Sequence, residues 1–78
     1  MEVNGYQIGS GADLAGADLT DADLSSVDLS DAWLGGALLT GSNLSESHMV
    51  GADLRNTVCR STIFNEADLH HVNFWSSD

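Results

Sequence analysis

Residues 12–31 read ADLAG ADLTD ADLSS VDLSD. This is one five-residue unit four times over: a small residue, Asp, Leu, then two residues drawn mainly from Gly, Ser, Thr and Asp. The phase persists outward from this stretch. Leu14, Leu19, Leu24, Leu29, Leu34, Leu39, Leu44, Leu54 and Leu69 share the third position, and Met49, Cys59, Phe64 and Phe74 fill its remaining slots. Nine of the ten leucines fall there, so the period is a property of order, not of composition. The first position stays small, from Ala12, Ala17, Ala22 and Val27 through Ser42, Ser47, Thr57 and Thr62 to Ala67 and Val72. Thirteen consecutive units run from Ala12 to Ser76 with no insertion.

A period of five suits neither regular element, since helices repeat near 3.6 residues and strands at 2. Within a unit, small–x–Leu is a spacing of 2. Those three residues are therefore extended, with both apolar side chains on one side and the middle residue on the other. The next two residues turn a corner, where Gly, Ser, Asp and Asn are favoured. A chain that runs straight for three residues and bends for two winds into a coil. Alternating small and large inward side chains suit a narrow interior.

The units resemble the pentapeptide repeat family, whose pattern is A-(D/N)-L-x-x. The resemblance covers residues 12–76. It implies an all-β fold, a right-handed quadrilateral parallel β-helix (a solenoid) with four units per coil. Thirteen units then give about three coils, roughly 15 Å tall at ~4.8 Å per stacked strand. Residues 1–11 are out of phase, with Gly9 where a Leu belongs, and read as an N-terminal capping segment. Val3, Tyr6 and Ile8 are its natural plug. Residues 77–78 read as a short C-terminal tail. The lead-in N-G-Y-x-I-x-x-G-A-D-L is similar to stretches that open such arrays in some bacterial and phage proteins.

Twelve acidic residues face two Arg and no Lys, for a formal charge of −10. That balance argues against direct nucleic-acid binding, which needs cations for phosphate, and against a polybasic membrane anchor. No apolar stretch approaches membrane-spanning length, and no signal-peptide pattern opens the chain. A bacterial cytoplasmic or virion-associated setting is the expectation. Cys59 is the single cysteine and lies in the Leu phase, so it is expected as a buried small hydrophobe.

With four units per coil, residues twenty apart stack. The outward middle positions then form four columns: Asp13, Trp33, Asp53, Asn73; Asp18, Leu38, Val58; Asp23, Asn43, Ile63; and Asp28, His48, Asp68. Leu38 and Val58 replace the outward Asp one above the other, Trp33 and Ile63 depart on flanking faces, and Arg55 and Arg60 lie nearby. Two readings stay open for them: decay of the repeat on a solvated face, or a contact surface for a partner or a second copy. Phe74 and Trp75, at an end with no capping helix, are a second candidate interface, because open strand edges invite pairing. His48 between Asp28 and Asp68 is expected to join a surface ion-pair ladder that raises its pKa.

No catalytic, cofactor or metal residues are expected. Stacked rungs splay His and carboxylate ligands, Cys59 points inward, and a convex prism is expected to offer no pocket. GxGxxG and P-loop patterns are absent. The expectation is a non-enzymatic structural or protein-interaction module that forms a homodimer or binds a protein partner, and it includes a place in a larger assembly such as a phage particle. The alternative, implied by acidic family members that bind DNA gyrase and protect it from quinolones, is a DNA mimic.

Overall fold

Every corner of the chain is made the same way. In the computed structural model, which describes residues 1–78, φ is positive at every fifth residue from Gly11 to Ser76. The residue before it keeps a negative φ, and at every corner but Ser25–Ser26 the next small residue donates its N–H back to the Leu-phase carbonyl. Ala17 N reaches Leu14 O at 3.0 Å, and Ala52 N reaches Met49 O at 3.0 Å. Positive φ at only the third residue of a hydrogen-bonded turn is the type II arrangement, which suits Gly. Gly16, Gly36, Gly41 and Gly51 take it freely, but Glu46, Ser61, Glu66 and His71 hold it with full side chains. Their neighbours in the ladder over-determine that backbone.

Successive rungs pair in parallel at a spacing of twenty residues. The bridges run Asp13–Trp33–Asp53–Asn73, Asp18–Leu38–Val58, Asp23–Asn43–Ile63 and Asp28–His48–Asp68. Four units therefore complete one turn of a quadrilateral β-helix. Two bonds tie each middle region to the next rung, as when Leu14 N donates to Trp33 O at 2.7 Å and Trp33 N to Ala12 O at 2.9 Å. A third ties the corners, as Gly16 N to Gly35 O at 2.9 Å.

The inward Leu phase is the core. From Leu14 through Met49 to Leu54 these side chains are 0–2% exposed. Ser42, Ser47 and Thr57 occupy the small inward slots and are fully buried. Each hydroxyl donates to the carbonyl three residues back, at 2.8, 2.7 and 2.9 Å. No buried side-chain nitrogen or oxygen lacks a partner, so these polar residues avoid the cost of an unmade bond.

The two ends differ. At the N-terminus β1 (Glu2–Val3) and β2 (Tyr6–Gln7) form an antiparallel hairpin. Asn4 and Gly5 both have positive φ, the type I′ turn that Asn-Gly favours. Val3 and Tyr6 pack against the core and Ile8 is buried. Tyr6 Oη accepts the Asp18 N–H, and Asn4 Nδ2 donates to Asp18 O, both at 3.4 Å.

At the other end Cys59, Phe64 and Leu69 are only half-buried, and Phe74 is 38% exposed. Cys59, in the Leu phase and expected to be buried, is half-buried in the last described coil. Phe64 and Phe74 meet edge to face, with centroids 6.0 Å apart. Residues 77–78 are not a tail. Asp78 N donates to Thr57 O at 2.9 Å and Cys59 N to Asp78 O at 2.5 Å, so they begin another unit of the ladder.

Depth in the solenoid sets the cost of core truncation. Leu34→Ala is expected to cost about 2–5 kcal/mol and Leu69→Ala roughly 1–2 kcal/mol, read from urea denaturation midpoints.

Candidate functional site

The outward Asp and Asn have a specific task. The N–H of the first corner residue is used by neither the turn nor the ladder, and the side chain two residues earlier takes it. Asp13, Asp18, Asp23, Asp28, Asn43, Asp53, Asp68 and Asn73 each accept it through Oδ1, at 3.0–3.2 Å. This is the local Asx arrangement that only Asp and Asn supply well. It also shifts titration. Asp18 and Asp23 are held below the ordinary carboxyl value first by side-chain bonds from Thr20 and Ser25, and Asp28 first by the Ser30 N–H. Arg55 does the same for Asp53, and His70 for Asp68.

Five units lack the cap: those of Trp33, Leu38, His48, Val58 and Ile63. There the N–H groups of Gly35, Thr40, Val50, Arg60 and Asn65 find no acceptor within the chain. Each departure therefore exposes a backbone donor as well as an altered side chain. Trp33 is 58% exposed, Leu38 40% and Ile63 44%. The corner between Trp33 and Leu38 is Gly35–Gly36, so no corner side chain separates these two residues on their own rung. Val58 is only half-exposed, because Asp78 pairs on both sides of it through Thr57 and Cys59. Trp75 is 70% exposed beside Phe74 at the open end.

Both arginines are paired. Arg55 binds Asp53 through Nε and Nη2, the latter at 2.7 Å, and Arg60 meets Asp78 at 2.6 Å. In the fourth column the imidazole paired with a carboxylate is His70, whose Nδ1 lies 2.6 Å from Asp68. The expected ladder through His48 is not formed at contact distance: its charge helps to lower Asp28 and Asp68, but Asp68 is engaged along its own rung by the residue two places on. No group of three or more His, Cys, Asp and Glu side chains is placed so that it could hold a metal ion.

The prism is not convex throughout. An open groove of about 470 Å³ runs beside the first face, lined by Asp31, Trp33, Gly51, Asp53, Arg55, His71 and Asn73 with two alanines. Its corner wall is a column at the same twenty-residue spacing: Asp31, Gly51, His71. Extending that spacing from the middle positions to the corners would have found it in the sequence.

A parallel β-solenoid of stacked five-residue edges is thus the class of protein. The model for pentapeptide repeats matches residues 10–41 and 42–74, in eight copies, and the chain belongs to the pentapeptide repeat family. The solved pentapeptide repeat protein Rfr23 from the cyanobacterium Cyanothece 51142 is 28% identical, over 88% of this chain and 48% of that one, with a TM-score of 0.51. Its match extends the family's right-handed quadrilateral β-helix to this chain. Alr5209, a pentapeptide repeat protein from Nostoc Pcc 7120, is 31% identical over 83% of this chain and 62% of its own, with a TM-score of 0.36. The chain spans about half the length of the first and less than two thirds of the second. Comparison with curated proteins finds no match.

The caps make stability depend on acid. A carboxyl whose folded pKa is lowered stabilises the fold above its unfolded value, near ~3.9, and that contribution fades as pH falls through the folded value. Melting temperature is expected to drop between about pH 5 and pH 2. Replacing Asp18, Asp23 and Asp28 together by Asn keeps the acceptors and should flatten that drop. Asn43→Ala, which removes an acceptor without touching charge, should cost about 0.5–1.5 kcal/mol at any pH.

Proposed function

We propose that this chain is a non-catalytic interaction module. It is a rigid prism of about three coils that presents an uncapped apolar face to a second copy of itself or to a protein partner. The observation that carries the reading is that three of the five departures, all of them apolar, stand on two adjacent columns. Leu38, Val58 and Ile63 each exchange a carboxylate for an apolar side chain and leave the N–H of Thr40, Arg60 or Asn65 without an acceptor. Such a surface gains both from burial and from acceptors supplied by a partner. Six of the twelve acidic side chains are spent on turn caps, and Asp53 and Asp68 among them also pair with Arg55 and His70.

Exposed Phe74 and Trp75, beside half-exposed Phe64 and Leu69, support self-association as a second route.

Light scattering after size-exclusion chromatography tests both routes. Wild-type protein is expected to elute at twice its 8.2 kDa chain mass or more. Reduction to a monomer by Leu38→Asp with Val58→Asp assigns the side face, and reduction by Phe74→Ser with Trp75→Ser assigns the end. A monomeric wild type would remove self-association and leave a partner protein as the occupant.

DNA mimicry is favoured only by the net charge of −10. Its arrangement speaks against it, because in no column does an outward Asp of one unit stack on an outward Asp of the next. Inhibition of gyrase supercoiling by low micromolar protein would reverse that judgement.

A further inference from the structure

The groove beside the first face is built by omission. In its corner column the missing side chain at Gly51 opens a notch, and Asp31 Oδ1 reaches across the space that a Cβ at Gly51 would need. Trp33 lines the groove from the first column with more than half its surface free. Asp53 and Arg55 form the rim, locked together by a two-point ion pair. That pair neutralises itself. The charge left over in the groove is Asp31, which takes part in none of the ion pairs of the fold.

We propose that this groove seats an arginine side chain from a basic segment of a partner polypeptide. A guanidinium is planar, so it can lie on the Trp33 indole while its edge donates to the Asp31 carboxylate. An ammonium is a compact point charge and would use only one wall at a time. The walls are held by the ladder, through Asp31 N to Val50 O and Trp33 N to Ala12 O, both at 2.9 Å. Little order is then lost on binding. The field of a chain carrying −10 draws basic segments toward it. This assignment rests on the reading of the chain as a polypeptide-binding module. It concerns a different surface from the Leu38–Val58–Ile63 face, so light scattering and peptide binding can fail separately.

The probe is the capped peptide Gly-Ser-Gly-Arg-Gly-Ser-Gly, titrated into ¹⁵N-labelled protein. The indole N–H signal of Trp33 should move saturably, while the backbone amide signals of Ser25 and Ser45, capped on the third face away from the groove, stay in place as an internal control. A fluorescein-labelled copy of the peptide gives affinities by anisotropy. Trp33→Asp restores the repeat's own cap, so the fold is retained, and it makes the protein more acidic. Binding should nevertheless weaken, by about three- to fivefold, from loss of the aromatic face. Asp31→Asn suits the positive φ at that corner and should weaken binding by a similar factor. Asp23→Asn, the same charge change on the third face, should leave affinity within about twofold. The Lys version of the peptide should bind more weakly than the Arg version. The proposal is overturned by a silent Trp33 signal, by equal movement of the Trp33 indole and the third-face amides, by a Trp33→Asp variant that binds as tightly as wild type or tighter, or by equal losses for Asp31→Asn and Asp23→Asn. Equal affinity for the Lys and Arg peptides would likewise overturn the assignment to arginine.

Discussion

The structure depends on a corner two residues long with a positive φ at its second residue. Three extended residues plus that corner make an edge of five, and four edges bring the chain back beneath itself. The registration at twenty residues follows, and with it the placement of each small and each large inward side chain. Glycine would satisfy the corner at least strain, yet Asp, Ser, Glu, Asn and His hold it in much of the chain. They can because each corner is pinned by a turn bond inside the unit, by a ladder bond to the neighbouring rung, or by both. Local preference is overruled by cooperative stacking, as expected where each rung is stabilised mainly by its neighbours.

One donor is left out of that scheme, the N–H of the first corner residue. The choice of Asp or Asn at the middle position follows from it, and so does the meaning of departures. An outward Leu in an ordinary strand would be one more exposed apolar group. Here it also uncaps a backbone donor. The same change thus alters hydrophobicity, charge and hydrogen-bonding capacity at one point. The surface around Leu38 and Ile63 therefore differs in kind from the faces that keep their caps.

Much of this was legible in the sequence because the signal is periodic. The Leu phase identified the core, and the twenty-residue columns of outward residues are those the bridges connect. What escaped was local or fell outside the period. Asp and Asn were read as outward polarity, although restriction to these two side chains, rather than to any polar residue, is the mark of an Asx bond. Asn4-Gly5 carries a hairpin signal that was passed over in favour of apolar plug residues. Ser77 and Asp78 lack a following Leu and so looked like a tail, although small–x is already the first half of a unit. Their pairing is also what half-covers Val58. Cys59 shares the Leu phase but not its burial, because phase records direction and not whether another rung follows. His48 was paired by column, whereas Asp68 bonds within its own rung to His70, which a vertical map does not see.

The acidity acquires a different cause from this arrangement. Asn43 and Asn73 cap their corners as Asp does, so the fold requires an acceptor and not a charge. Seven acids and no base among residues 1–31, against five acids and two Arg among residues 32–78, are therefore not imposed by the turns. The first rung carries a carboxylate on all four faces, at the end closed by the hairpin. Beyond it the columns never stack one outward Asp on another, and like charges at strand spacing would repel. Carboxylates dispersed in this way keep one end hydrated without forming the continuous rows that a phosphate backbone presents. The half-covered core, the uncapped donors and both arginines lie in the other part of the chain. Acidity and burial of the core thus decline together along the axis toward the C-terminal half.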